Sequence, residues 1–266
     1  MKNICVLTCE ELVGKVIEDE MLVNELSNLN VNVKLKPWES FVDEGEDLFI
    51  LRTTWNYTDH LDNFIKKLES IKDRLLNPLA LIKWNANKSY LLELFEKDLE
   101  VIPLSIAHNH ETLLASLNKL GGEYFIAKPL VGARAKGLIR FKRGELPELN
   151  RKMIIQRFYP EITNGEISLV YFNDKFAYAL KKIPKAGDIR VQEEYGSRII
   201  SYKPSKVELN IANRILNEMP FDYLYCRVDI VPDAGLIELE CIEPSLYFNN
   251  YPNGARIYAN EIIKHL

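Results

Sequence analysis

No apolar run in the 266-residue sequence approaches the roughly 20 residues that a membrane-spanning helix requires. The opening NICVLTC run passes at once into the acidic EELVGKVIEDE, unlike the long apolar segment of a secretory signal, so a cytoplasmic location is expected. Basic excess is also missing. A formal net charge of -4 gives no footprint for a polyanion, and nucleic acid is not an expected partner. The four cysteines (Cys5, Cys9, Cys226, Cys241) form no CxxC pair and have no histidine at metal-ligand spacing; they read as reduced core residues. His60, His108, His110 and His265 are scattered and unaccompanied, and no role is assigned to them. There is no repeat, low-complexity tract or long linker. A chain of this length can bury a sizeable core without staples, as one large domain or as small lobes around a shared cleft.

What is present changes character along the chain. The first third alternates short apolar runs (ICVLTC, VNVKLKP, DLFILR) with helical patterns over about Lys15–Leu29 and Leu61–Ile71, the pattern of βαβ units on a mostly parallel sheet. A turn at Asn77-Pro78 follows, and a helix is expected to open near Asn85, a good N-cap residue; a lobe boundary is placed there. From Val101 the reading is strand VIPLS, helix ETLLASLNKL, a Gly121-Gly122 turn, strand YFIAKPL, a glycine loop and strand GLIRFKR. From MIIQRFY onward the chain is strand-rich, with a hairpin turn at Asn173-Asp174, one helix over about Ser205–Glu218, and the strands YLYCRVDIV and GLIELECIE. Three lobes are expected: 1–84, 85–155 and 156–266.

Three features carry chemistry. The loop KPLVGARAKG sets Gly132 and Gly137 among Lys128, Arg134 and Lys136, where glycines let backbone N–H groups approach a phosphate and cations neutralise it. It is not a Walker A loop, since no GK[ST] follows, and alone it reads as readily as a solvated turn. Asp229 lies inside an apolar strand, and Glu238 and Glu240 stand at i and i+2 on one face of the next. Carboxylates that face one another repel unless a cation sits between them, so the set points to magnesium, with water-facing glutamates as the plainer alternative. Between loop and acids lies KKIPKAGDIRVQ, with Lys181, Lys182, Lys185 and Arg190, preceded by Glu166 in NGEIS. Metals and cations clustered in this way are what triphosphate chemistry needs, although lysines at a sheet edge also guard against aggregation.

The order NANKSYLLELFEKDLEVIP, FIAKPLVGARAKG, IIQRFYPEITNGEISLVYF, GDIRVQ, CRVDIV, ELECIEPS resembles the ATP-grasp ligases, among them D-alanine:D-alanine ligase, glutathione synthetase and the ribosomal-protein glutamate ligases. RTTWNYT, KKIPKAGDIRVQEEYG and IEPSL look closer still to the subgroup that includes the ligase closing the D-cycloserine ring. The resemblance implies an α/β chain with the ATP-grasp fold: a Rossmann-like N-terminal lobe, a small central lobe and a C-terminal antiparallel-sheet lobe. It implies ATP and magnesium as cofactors, and a small carboxylate and an amine as substrates joined through an acyl phosphate. A kinase-like phosphotransferase and a non-catalytic nucleotide-binding module are the rival readings. Position by position, Lys88 and Lys128 match phosphate-holding lysines; Gly132, Ala133, Arg134 and Gly137 match the covering loop. Gln156, Arg157, Phe158 and Tyr159 match the adenine hinge, where Gln156 departs from the common Glu, and Glu166 matches the ribose acid. Arg190, with Lys185 and Arg227, falls to the transferring phosphoryl group. Asp229, Glu238 and Glu240 match the magnesium ligands, with Glu240 replacing the usual Asn and Glu243 a rival. Arg52, which lies past a strand end, could pair with a substrate carboxylate; Trp55, Tyr57 and Ser245 complete the substrate set, with packing the plainer role for the two aromatics. The oligomeric state, a homodimer included, is left open.

Overall fold

A computed structural model describes all residues, 1–266. The first lobe begins with β1 (Asn3–Thr8), α1 (Ile17–Asn28), β2 (Asn32–Pro37), β3 (Leu48–Leu51), α2 (Leu61–Glu69) and β4 (Leu75–Leu76). Its sheet has the order β2-β1-β3-β4, and the pairs are all parallel. The near-continuous apolar runs of β1 and β3 reflect burial on both faces. Two short helices, α3 (Leu79–Asn85) and α4 (Tyr90–Glu96), lead out of it. The helix expected to open near Asn85 opens at Tyr90 as α4, behind the N-cap Ser89, because Asn85 is the last residue of α3 and spends its side chain on the backbone of Leu239 and Cys241.

The central sheet is antiparallel, in the order β5-β8-β6-β7. It comprises β5 (Leu104–Ala107), α5 (His110–Leu120) against it, β6 (Tyr124–Pro129), β7 (Ile139–Lys142) and β8 (Met153–Arg157). The Asn109 side chain accepts from the Thr112 N–H in a capping box, which fixes where α5 starts. The boundary expected between 155 and 156 falls inside β8, which belongs wholly to this sheet; a five-residue strand carries no mark of which partner it will pair with.

The last sheet has the order β11-β10-β9-β12-β13. Its elements are β9 (Glu166–Phe172), β10 (Lys175–Ile183), β11 (Arg198–Tyr202), α6 (Lys206–Asn217), β12 (Tyr225–Val231) and β13 (Gly235–Glu240). The hairpin at Asn173-Asp174 puts both turn residues in the left-handed region, at φ 45° and 61°, as its tight turn demands. One face of this sheet buries Leu169, Val228 and Leu239 against α4 and α6; the other buries Phe172 and Tyr178 with α7 (Asn253–Ile262), which packs back on α1 of the first lobe. The closing helix thus ties the two ends of the chain together. All four cysteines are buried and free, and no helix is long and apolar enough to cross a membrane.

The edge of β13 would leave a row of backbone groups open, and side chains of the linking region close it. Asn85 donates to the Leu239 carbonyl and accepts from the Cys241 N–H, each at 2.8 Å, and the Tyr90 hydroxyl pairs with both backbone groups of Leu239. Asn77, fully inside at φ 63°, donates to the carbonyls of Tyr225 (2.8 Å) and Cys241 (2.7 Å) and accepts from the Leu224 N–H (2.7 Å). Asn77→Ala leaves these backbone groups unpaired in the interior and keeps the unfavourable φ, so it should lower unfolding stability by about 3 kcal/mol in chemical denaturation. A loss below about 0.5 kcal/mol would mean that the amide holds nothing.

Candidate functional site

Between the two antiparallel sheets lies a cavity of about 280 Å³. Its inner end is an apolar slot. Ile102, Ile162, Val191 and Val231 form a small buried cluster with Phe158, Tyr159, Ile189 and Ile237 packed on it. The end of β8 runs along this slot, bringing Gln156 through Tyr159 to the wall. The Phe158 N–H already donates to the Tyr124 carbonyl at 2.8 Å and the Gln156 amide to the Ile102 carbonyl at 3.4 Å, so part of the hinge backbone and its first side chain are engaged.

The middle of the cavity is cationic. Lys88, just ahead of α4, reaches Glu238 at 2.8 Å and the Gly132 carbonyl at 2.6 Å. Lys128, near the end of β6, is only 8% exposed and donates to the Ile237 carbonyl at 3.1 Å. Burial, reinforced by neighbouring Lys88, pulls its ammonium down to about 8 against the attraction of Glu238. Above these lysines arches the glycine loop, with Arg134 and Ala135 both at φ 55° and Gly137 at 77°. Two adjacent non-glycine residues in this region mark a strained turn of the kind found where a segment must cover a ligand. Arg134 is held to Glu194 and Lys136 to Asp59 (2.9 Å), so the loop touches both flanking lobes. Gly137 is not part of the cavity wall: a Cβ there would meet the Arg151 guanidinium at 2.8 Å, so its place in the loop is conformational.

The outer end is acidic. Register pairs Asp229 with Glu238 and Arg227 with Glu240 across β12 and β13. Glu238, Glu240 and Glu243 all reach the wall, together with Ser245, Tyr247, Trp55 and Tyr57. Burial with crowding by Glu238 lifts the Glu240 carboxyl to about 7 against the pull of Arg227, and burial beside Glu240 lifts Glu243 to about 8. Glu238 moves the other way: burial opposes its charge, but Lys88 and Lys128 hold it below the ordinary glutamate value. The strand expected over GLIELECIE stops at Glu240, and the early stop brings Glu243, which an unbroken strand would point to the face opposite Glu238 and Glu240, to the cavity.

Asp229 is elsewhere. Its carboxylate, 2% exposed and absent from the cavity wall, accepts from Ser168 (2.6 Å), Lys182 (3.0 Å) and Arg227 (2.8 Å). Burial opposes its charge, yet Arg227 and Lys182 hold it well below the usual carboxylate range. Placing it on a metal requires exchanging those partners. No three His, Cys, Asp or Glu side chains stand arranged to hold a metal ion by themselves. A magnesium ion carried by phosphate needs fewer: one or two carboxylates plus the substrate's oxygens suffice. The donor chemistry of Glu238 and Glu240 fits that requirement, with Glu243 beside them.

The remaining expected residues divide. Glu166 lines the cavity, ion-paired with Lys182, and burial lifts its carboxyl to about 7. Arg157 and Ala133 line it too. Arg190 borders it with its guanidinium on Asp188 at 2.7 Å and 3.8 Å above the Tyr195 ring. Lys185 does not reach the wall; it sits exposed on the outer arm of the β10–β11 connection. Arg52 is wholly buried on Glu18 (3.4 Å) and the Pro244 carbonyl (3.0 Å), away from the cavity, and so cannot meet a substrate carboxylate there. Lys182, named in the sequence only within the KKIPKAGDIRVQ cation cluster, and Tyr247 (φ 55°), which sequence reasoning misses, both line the cavity. A strand alternation that set one of two adjacent lysines inward was the available signal for Lys182.

Residues 93–247 match the family described as "Prokaryotic glutathione synthetase, ATP-grasp domain", and residues 4–77 match "D-cycloserine synthetase DcsG, N-terminal domain". The cycloserine biosynthesis protein DcsG of Streptomyces lavendulae is 22% identical over 281 aligned positions, covering 92% of each chain. The crystal structure of D-cycloserine synthetase DcsG superposes with a TM-score of 0.86 at 18% identity, over 98% of this chain and 99% of that one. D-alanine–D-alanine ligase from Bacillus anthracis gives 0.70 at 14% identity, over 100% and 97%.

The lowered Lys128 ammonium gives the cavity a pH signature. Its protonated form would attract a polyphosphate anion in the cavity, so affinity for ADP should hold below about pH 8 and fall by up to about tenfold per pH unit above it. Lys128→Arg, charged throughout, should remove that fall; calorimetric titrations of ADP across pH 7 to about 10 read both proteins. An unchanged slope in the arginine variant would mean that Lys128 does not carry the dependence.

Proposed function

The chain belongs to the ATP-grasp ligases, enzymes that use ATP to form C–N bonds, and we propose that it activates a small amino-acid-like carboxylate as an acyl phosphate and joins it to an amine. The observation that carries the reading is the succession along β13 and past its end on one cavity wall: Ile237 of the apolar slot, Glu238 on Lys88 beneath the glycine loop, then the crowded Glu240 and Glu243. That succession suits a nucleotide's base, phosphates and metal-facing end.

In this reading the slot beside Gln156–Tyr159 takes the adenine, with Glu166 at the ribose. Lys88 and Lys128 hold the phosphates, the arch of residues 132–137 covers them, and Glu238 and Glu240 hold magnesium, with Glu243 adjacent. Bound magnesium would neutralise phosphate charge and orient the transferred group. Arg227, paired with and positioned by Asp229 and Glu240, supports the substrate end with Ser245 and Tyr247; Arg190 borders the phosphate side. The substrate carboxylate oxygen attacks the γ-phosphorus and ADP leaves with the bridging oxygen. The amine then attacks the acyl carbon, loses a proton and expels phosphate. No protein nucleophile is needed; the chain aligns the reactants and the loop keeps water from the acyl phosphate.

The decisive assay measures phosphate release from ATP with magnesium and a panel of amino acids of both hands, singly and in pairs. Release that requires both an acid and an amine supports the ligase; ADP with a phosphorylated acceptor and no free phosphate would instead establish a kinase. Within that assay, Glu238→Gln and Glu240→Gln should each raise the magnesium needed for half-maximal phosphate release by about tenfold or more. Glu243→Gln should raise it less. A larger effect at Glu243, with none at Glu240, would move the metal along the chain past the end of β13.

A further inference from the structure

The segment that follows β13 is held in an unusual way. Six consecutive carbonyls, from Cys241 to Leu246, each accept a hydrogen bond from a different side chain. The donors are Asn77 to Cys241 (2.7 Å), Tyr225 to Ile242 (2.6 Å), Trp55 to Glu243 (3.1 Å), Arg52 to Pro244 (3.0 Å), Arg227 to Ser245 (2.9 Å) and Tyr178 to Leu246 (2.7 Å). Glu18 accepts the Leu246 N–H at 3.1 Å. Backbone of this kind takes its shape from tertiary partners, because neither a ladder nor a helix dictates it. The segment delivers Glu243 and Ser245 to the cavity and ends in Tyr247 at φ 55°, a conformation a bulky aromatic keeps only when its surroundings impose it.

Two of these donors come from the short stretch after β3. Arg52 is 0% exposed, and its charge is matched by Glu18 and by Asp19, which in turn accepts from Thr53. So large a buried charge needs a fixed partner set, and that set fixes the direction of Nη1 toward Pro244. Trp55 has a second neighbour: the guanidinium of Arg134, in the glycine loop, lies 5.4 Å from its ring. One indole therefore touches both the arch over the phosphates and the backbone that seats Glu243.

We propose that Arg52 and Trp55 are positioning residues that set where Glu243 and Ser245 stand, and that Trp55 couples this seat to the glycine loop. The proposal rests on the ligase reading for its consequence in turnover, but not for the local fixation itself. It gives the first lobe a part in the reaction geometry without direct contact between Arg52 and substrate.

The test uses Arg52→Lys, which keeps the buried charge and loses the planar fork, and Trp55→Phe, which keeps a ring under Arg134 and loses the donor. Amide exchange by mass spectrometry is read on the free full-length chain. Both variants should raise exchange of the 242–247 amides by about tenfold while the other sheets stay within about twofold of wild type. ATP affinity with magnesium should change less than about twofold, and turnover on the amino-acid panel should fall about tenfold in kcat. A loss of ATP affinity equal to the loss of turnover, unchanged exchange at 242–247, or raised exchange with wild-type turnover would each overturn the proposal. Should wild type release no phosphate with any acid and amine, the ligase reading fails, and the exchange result alone still decides whether the two residues hold the segment.

Discussion

The arrangement depends on one crowded seam, where β13, paired with β12 on one side only, and the segment that continues it carry acidic side chains. All three parts of the chain reach this seam. Asn85, Tyr90 and Lys128 bond its strand carbonyls or amides, Asn77 bonds the carbonyl that follows, and Trp55 and Arg52 hold the next turn. Remove these donors and the glutamates lose fixed positions, because repulsion among them favours splaying into water. The parallel first lobe is thereby tied to the cavity wall, to which it also brings Trp55 and Tyr57.

Charge balance beneath the seam is equally tight. Glu166, Lys182, Asp229, Arg227 and Glu240 form a chain of alternating sign in which each interior charge meets an opposite partner. Such a chain is weak evidence for stability, since desolvation offsets much of its attraction, but it is well suited to holding orientation. Arg227 is the pivot: it bonds Asp229, Glu240 and the Ser245 carbonyl, so the cavity floor, the crowded glutamates and the turn after β13 share one rigid group. The raised carboxyls of Glu240 and Glu243 report the same crowding from the other side, a site that favours an added cation.

Above the seam, the crest of the glycine loop is fastened by two exposed pairs, Arg134 with Glu194 and Lys136 with Asp59, while Lys88 holds the Gly132 carbonyl at its base and Trp55 lies against Arg134. Exposed pairs contribute little and are screened by salt, so the arch is held lightly where the floor is held firmly. That contrast suits a covering segment that must open for nucleotide and close against water.

Sequence alone determined the kinds of sheet, the helices with capping boxes, the Asn173-Asp174 hairpin, and the ordered run of lysine, glycine-loop and acidic motifs, because periodicity and turn chemistry are local. Tertiary structure decided which of those residues share a wall. A hairpin counted strictly from its turn sets Lys181 opposite Glu166; the bulge between Phe176 and Tyr178 shifts the register by one and brings Lys182 there instead. Alternation told that Glu238 and Glu240 share a face, but not that β13 would end at Glu240 and swing Glu243 alongside them. Nor could it reveal that Arg52 would be sealed between Glu18 and Pro244, or that Asp229 would turn to Lys182 and Arg227. Apart from Arg227, two residues from Asp229, the partners lie 34 to 192 residues away, and a buried charge takes whichever partner the packing brings within reach.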